Sequence, residues 1–187
     1  ALHAALGAND VPPAAITLLP TTDRSAITEL IQCDDSIDLV IPRGGEGLIR
    51  FVDTNSHIPV IKHYKGVCHL YVDRAADLDV AMNLLIDGKL SRQAVCNALE
   101  TLLVHKDVTD DFLPRAHEVL NSAGVELRGC GRTRAVLPDV TSATDDDYAA
   151  EFLGPILAVK VVDDYDAATA HIAQFGSNHT DVIATDD

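Results

Sequence analysis

The sequence predicts an α/β fold built on a parallel sheet. Three observations carry this reading: short apolar runs of strand length, amphipathic runs of helical length between them, and capping or turn residues at the joints. Residues 1–6 read as helical. Residues 15–20 read as a buried strand. Thr21, Thr22 and Asp23 then supply capping groups for a helix over 25–32, with Ile27, Leu30 and Ile31 on one face. Residues 37–42 form the next predicted strand, 46–52 the next helix and 59–64 a third strand. Strands alternating with helices in this way suggest right-handed βαβ units.

A second region follows Gly66. Residues 68–73 read as a strand, and 77–86 as an amphipathic helix capped by Asp77 or Asp79. A helix-like run is expected to open at Cys96 and lead into a strand through His105. The spacing predicts a helix over 107–123, with Phe112, Ala116, Val119 and Leu120 facing the core and Gly124 as its stop. A short strand at 125–129, an acidic capped loop at 141–148, a strong strand at 156–162 and a helix at 166–174 complete the reading. Two domains are therefore expected, residues 1–66 and residues 67–187.

The chain has 187 residues, 47% hydrophobic and 23% charged, which is ordinary globular composition with enough length for a sizeable core. Fourteen basic against 29 acidic residues give a net charge of −15, which argues against a phosphate-backbone nucleic-acid binder. The acidity reads as solubility. Cys33, Cys68, Cys96 and Cys130 are widely spaced, without a Cys-x-x-Cys pair, so reduced thiols in a cytoplasmic protein are expected rather than a disulfide scaffold. No run approaches the roughly 18 apolar residues of a membrane span, and no signal peptide opens the chain. The chain lacks an initiating Met, and the expectation is a piece of a longer protein.

Cys96 is the chief candidate for chemistry. If it sits at a helix N-terminus, unpaired N–H groups favour the thiolate, the form that attacks a carbonyl carbon. Arg92, four residues upstream, would add positive potential. The ordinary reading of such a Cys is a small buried hydrophobe. Pro42-Arg43-Gly44-Gly45-Glu46-Gly47 joins a strand to a helix. There the backbone can approach a phosphate closely, although a plain chain-reversing turn has the same composition. His63 and His69 lack zinc-ligand spacing, and Asp145-Asp146-Asp147 lacks the rest of a calcium loop, so no metal is expected. Arg128, Arg132 and Arg134 could meet an anion or simply decorate a surface turn. Glu151, held before Gly154-Pro155, could accept hydrogen bonds from ribose hydroxyls.

These segments together resemble the gamma-glutamyl phosphate reductase family within the aldehyde dehydrogenase superfamily. The resemblance rests on Ile41-Pro42-Arg43-Gly44-Gly45, on 59–69, on Val95-Cys96-Asn97-Ala98-Leu99-Glu100-Thr101-Leu102, on Glu151-x-x-Gly154-Pro155, and on 171–181, all in family order. It implies an aldehyde dehydrogenase-like fold: part of a Rossmann-type cofactor domain for NADP(H), then an incomplete α/β catalytic domain. It implies Cys96 as nucleophile, with one oxyanion donor from its own backbone N–H. Pro42, Gly44, Gly45 and Glu151 would contact the cofactor, and Asn97 and Arg92 the substrate. The implied reaction is reduction of L-glutamyl 5-phosphate to L-glutamate 5-semialdehyde through a Cys thioester, an oxidoreductase step of proline biosynthesis.

Two departures from the wider superfamily stand out. Hydrolytic members carry a Glu-Leu-Gly-Gly segment whose Glu activates water. Here the matching stretch reads Lys62-His63-Tyr64-Lys65-Gly66, without a carboxylate. Leu153 stands where the wider family has an aromatic residue against nicotinamide. The resemblance also implies a homo-oligomer for the complete protein, contact with glutamate 5-kinase, and little activity for the 187-residue piece alone. Two alternatives share the fold: the reductase part of a bifunctional pyrroline-5-carboxylate synthase, and a non-catalytic partner-binding relic.

Overall fold

A computed structural model describes residues 1–187. They divide into two compact units, Ala1–Tyr64 and Lys65–Asp187.

The first unit holds three helices, α1 (Leu2–Ala8), α2 (Ser25–Leu30) and α3 (Glu46–Asn55), with a 3-10 turn at Pro13–Ala15. Its strand content is far lower than the sequence suggests. Two of the three predicted strands shrink to one parallel bridge, Val40 to Val60. The stretch at 15–20 is not a strand, and Leu18 there is 94% exposed. The reason is that β structure needs a partner, and within this unit nothing offers 15–20 a ladder of N–H and C=O groups. Buried Ile31, Ile49, Val52 and Ile58 make a thin core. Ile49 and Val52 lie three apart on the inner face of α3.

The second unit is a six-stranded parallel sheet with helical crossovers. Its strands are β1 (Cys68–Val72), β2 (Leu99–His105), β3 (Glu126–Gly129), β4 (Thr141–Ser142), β5 (Ile156–Val162) and β6 (Asp181–Ala184), in the order β4-β3-β5-β2-β1-β6. The crossovers are α4 (Leu78–Leu90), α5 (Thr109–Ser122), α6 (Gly131–Val136), α7 (Asp145–Tyr148) and α8 (Tyr165–Phe175). Every pairing is parallel. Parallel strands are covered on both faces, which is why β1 and β2 are buried at every position. Leu70, Val72, Leu102, Val104, Leu157 and Val159 join Phe112, Leu113 and Leu120 of α5 and Leu85 of α4 in the larger core. Tyr71, Leu103 and Val162 alternate to the opposite face and meet Ala168 of α8.

Local chemistry explains the helix ends. Asp77 Oδ1 accepts from the N–H groups of Asp79 (2.8 Å) and Val80 (3.1 Å) to start α4. Gly124, at φ +77°, lets the chain leave α5 in the left-handed region. The acidic stretch at 141–148 is more than the expected loop. Thr144 and Asp147 form a reciprocal capping box that begins α7, after the short strand β4. No helix is long and apolar enough to cross a membrane.

Candidate active site

Cys96 is not at a helix N-terminus. α4 ends at Leu90, β2 starts at Leu99, and Cys96 lies exposed in the turns between them. The Ala98 N–H donates to the Val95 carbonyl at 3.0 Å, so Cys96 and Asn97 are the two central residues of a β-turn. The expected helix macrodipole is therefore missing, because the apolar run after Cys96 is claimed by the sheet instead. A turn still presents the sulfur outward. Asn97 and Arg92 are exposed on the same connection.

What lies under this turn is specific. A Cβ placed on Gly66 would fall 1.8 Å from the Cys96 carbonyl oxygen, so only glycine permits the contact. The Gly66 N–H donates to Glu151 Oε1 at 2.9 Å. Gly66 thus joins the backbone of Cys96 to the carboxylate of Glu151. Glu151 Oε2 makes no hydrogen bond within the chain and can accept from a ligand hydroxyl. Next along the chain, the Val67 N–H donates to Ser177 Oγ at 2.9 Å, and Cys68 Sγ donates to the Cys96 carbonyl at 3.3 Å. Burial pushes the Cys68 thiol up to about 11, with Asp181 adding to the effect, so Cys68 stays protonated and able to donate.

A buried ion pair supports the same region. Lys89 Nζ donates to Glu100 Oε2 and to the Leu99 carbonyl, both at 2.8 Å, and neither side chain is more than 1% exposed. Glu100 Oε1 accepts from the Leu153 N–H at 3.1 Å. Burial pushes Glu100 up and Lys89 down, and their mutual contact opposes both shifts. Glu100 occupies an irregularity in the sheet: Cys68 pairs with Leu99 and His69 with Thr101, which leaves Glu100 as the extra residue of a bulge. Leu153 has φ +51°, in the left-handed region. Sequence reasoning missed this pair. Its signals were a Lys on the buried face of α4, four residues after Leu85, and a Glu inside an apolar strand.

The arginine cluster has structural employment. Arg128 bonds Glu126 Oε1 (2.9 Å) and Asp147 Oδ1 (2.6 Å), and Arg132 bonds Asp163 Oδ1 (2.8 Å) and the Val161 carbonyl. Arg134 Nε donates to the Val140 carbonyl at 3.1 Å. Each of the three therefore has at least one partner within the chain. In the first unit, Gly45 caps α3, and a Cβ at Gly45 or Gly47 would meet nothing within 4 Å. That loop is an open cradle whose backbone a phosphate could approach. Pro42 is half-buried beside it, and Gly44 packs against Leu48. Lys62 and Tyr64 both bind Asp53, Tyr64 at 2.6 Å.

Comparison with known proteins identifies the family. The family model described as "Aldehyde dehydrogenase family" matches residues 1–128. The chain belongs to the aldehyde dehydrogenase family. Among members of this aldehyde dehydrogenase family, it is 67% identical over 186 residues to the gamma-glutamyl phosphate reductase of Salinibacter ruber, covering 100% of this chain and 43% of that one. It is 60% identical over 185 residues to the enzyme of that name from Xanthomonas campestris pv. campestris, covering 99% and 45%. The crystal structure of gamma-glutamyl phosphate reductase from Thermotoga maritima superposes with a TM-score of 0.92 at 42% identity, over 100% of this chain and 45% of that one. The chain thus spans less than half the length of these aldehyde dehydrogenase relatives.

Proposed function

We propose that this chain carries the thiol-bearing part of an NADPH-dependent reductase that converts L-glutamyl 5-phosphate to L-glutamate 5-semialdehyde in the cytoplasm. Residues 1–66 would then be the end of the cofactor domain and residues 67–187 most of the catalytic one. The observation that carries the reading is the joint at Gly66, which ties the exposed Cys96 turn to the Glu151 carboxylate. The naming of the relatives supports the substrate.

On this reading the Cys96 thiolate attacks the acyl-phosphate carbon, the C–O bond to phosphate breaks, and a thioester forms on Sγ. The Cys96 N–H donates to the developing oxyanion. NADPH, when bound, supplies the hydride that reduces the thioester to the aldehyde. Glu151 Oε2 would hold the ribose on the nicotinamide side, while Pro42, Gly44 and Gly45 would lie beside the pyrophosphate. Asn97 and Arg92 face the substrate from the Cys96 segment. The stretch that leads into Gly66 contains no carboxylate, and Lys65 Nζ is occupied by the Ala149 carbonyl at 2.7 Å. The lack of a carboxylate in that stretch suits a reductase better than a hydrolytic dehydrogenase. For the complete protein we expect a homo-oligomer that meets glutamate 5-kinase.

The test uses the full-length enzyme, with NADP⁺, phosphate and glutamate 5-semialdehyde in the reverse direction. Activity should require phosphate, and Cys96→Ser should lower turnover by at least about 10³-fold while leaving the circular dichroism spectrum intact. Full activity in Cys96→Ser, or aldehyde oxidation that ignores phosphate, would remove the reading.

A further inference from the structure

We infer that Glu100, neutralised by Lys89, is a positioning residue: it fixes the loop bearing Glu151 against the strand that begins beside Cys96. The inference rests on the roles given above to Cys96 and Glu151, and it adds a device that sets their spacing.

Two oxygens of one carboxylate do different things. Oε2 takes the Lys89 ammonium at 2.8 Å, and Oε1 takes the Leu153 backbone N–H at 3.1 Å. Glu100 lies four residues after Cys96, and Leu153 two residues after Glu151. One side chain therefore spans from the root of the nucleophile turn to the root of the ribose-binding loop. The bulge at Glu100 breaks the regular pairing of β1 with β2 where the side chain must be aimed. Lys89 also donates to the Leu99 carbonyl, so the ammonium grips backbone on one side and carboxylate on the other.

Packing alone does not require these groups. A buried ion pair gains little over apolar residues of similar volume, so its presence here is better explained by the geometry it specifies. The geometry in question is unusual, since Leu153 is held at φ +51° without being glycine. Such a conformation persists where surrounding bonds over-determine it. The Leu153 N–H to Glu100 bond is one of those bonds. Losing it should let Glu151 drift while the Cys96 turn, fixed by Gly66 and Cys68, stays in place.

The chemistry separates accordingly. Alkylation of Cys96 reads the thiol alone, whereas hydride transfer needs cofactor and thiol in register. Full-length enzyme is mixed with glutamate 5-semialdehyde and NADP⁺ without phosphate, so that each site makes one NADPH and stops at the thioester. The apolar double variant Lys89→Met/Glu100→Leu removes the acceptor for Leu153 without stranding a charge. Its burst rate should fall at least about 10-fold, while burst amplitude, iodoacetamide reactivity of Cys96 and thermal midpoint stay near those of the unmodified enzyme. Lys89→Met/Glu100→Gln keeps an oxygen for the Leu153 N–H and should recover the rate to within about threefold. A burst within threefold of normal in the Leu variant overturns the proposal. So does a parallel loss of burst rate, Cys96 reactivity and thermal midpoint that Gln does not rescue, since that marks plain packing. No burst from the unmodified enzyme overturns the functional reading itself, and is told apart because it needs no variant.

Discussion

At the scale of single residues, Gly66 and Gly45 make opposite demands. Gly66→Ala would drive a methyl group to 1.8 Å from the Cys96 carbonyl oxygen and 2.8 Å from its carbon, both backbone atoms with nowhere to go. We expect a stability loss of about 1–3 kcal/mol by urea denaturation and, on the proposed role of Cys96, a fall in turnover of about 10²-fold, because the Cys96 turn must move. Gly45→Ala adds a methyl group into open space at φ −68°, so stability should hold. If the loop cradles pyrophosphate, KM for NADPH should instead rise. Matching effects from the two substitutions would contradict the distinction between a packed glycine and an open one. Thiol alkylation gives a companion contrast: Cys68, buried and pushed up to about 11, holds about one thiolate per thousand at pH 8, and should label last.

At the scale of elements, α8 covers its face of the sheet with a histidine that stays neutral. His171 is 3% exposed, and burial together with neighbouring Lys160 pushes its imidazole down to about 3. Its Nδ1 lies 3.0 Å from Lys160 Nζ, and its ring meets Tyr148 and Phe175 at 4.9 and 4.7 Å. The folded imidazole binds its proton less readily than the unfolded one. Stability is therefore fully present above the unfolded value near 6.5 and is lost as pH falls from there toward 3. Between pH 7.5 and pH 5 this one group should cost about 2 kcal/mol, and His171→Phe should flatten that part of the profile in chemical denaturation. An unchanged slope would show that other groups dominate. Element by element, the sequence was most readable where packing agrees with periodicity. The runs behind β1, β2, β5, α5 and α8 carry their own signal, with Phe112, Ala116 and Leu120 at helical spacing. It was least readable where a third element decides. Thr141 and Ser142 become strand only because β3 is beside them, and the helix at 131–136 is capped by the Cys130 sulfur, which accepts from the Thr133 N–H. The Cys96 run failed for the same reason: its apolar residues suit either period, and the neighbours β1 and β5 take them into the sheet. Of the candidate site, Cys96 could be singled out from its local segment and Glu151 from its order and distance after Cys96, whereas Gly66 as a contact and the Lys89–Glu100 pair became visible only through contacts distant in sequence.

At the scale of the whole chain, the two units differ in what they can sustain alone. Lys65–Asp187 has a six-stranded sheet whose central strands β1 and β2 are buried at every position, and a contiguous core from Leu70 to Ala184. Ala1–Tyr64 has four well-buried apolar residues and one bridge, while Leu18 at 94%, Ile41 at 67% and Ile61 at 58% stand in solvent. Apolar burial is the main term opposing chain entropy, so the two should part in isolation. Expressed separately, 65–187 should unfold in a single cooperative urea transition, with slowly exchanging amides in β2 and β5. Residues 1–64 should show a broad, shallow melt and bind a hydrophobic dye. A cooperative transition from 1–64, or a non-cooperative one from 65–187, would mean that the central sheet is not the seat of stability. The consequence for chemistry follows from that division. The Gly66 joint and the Lys89–Glu100 pair lie wholly within 65–187, so this piece should keep the Cys96 environment and its alkylation rate. On the proposed cofactor role of the glycine loop at 43–47, reduction should be absent from it, since that loop stays behind with the other unit.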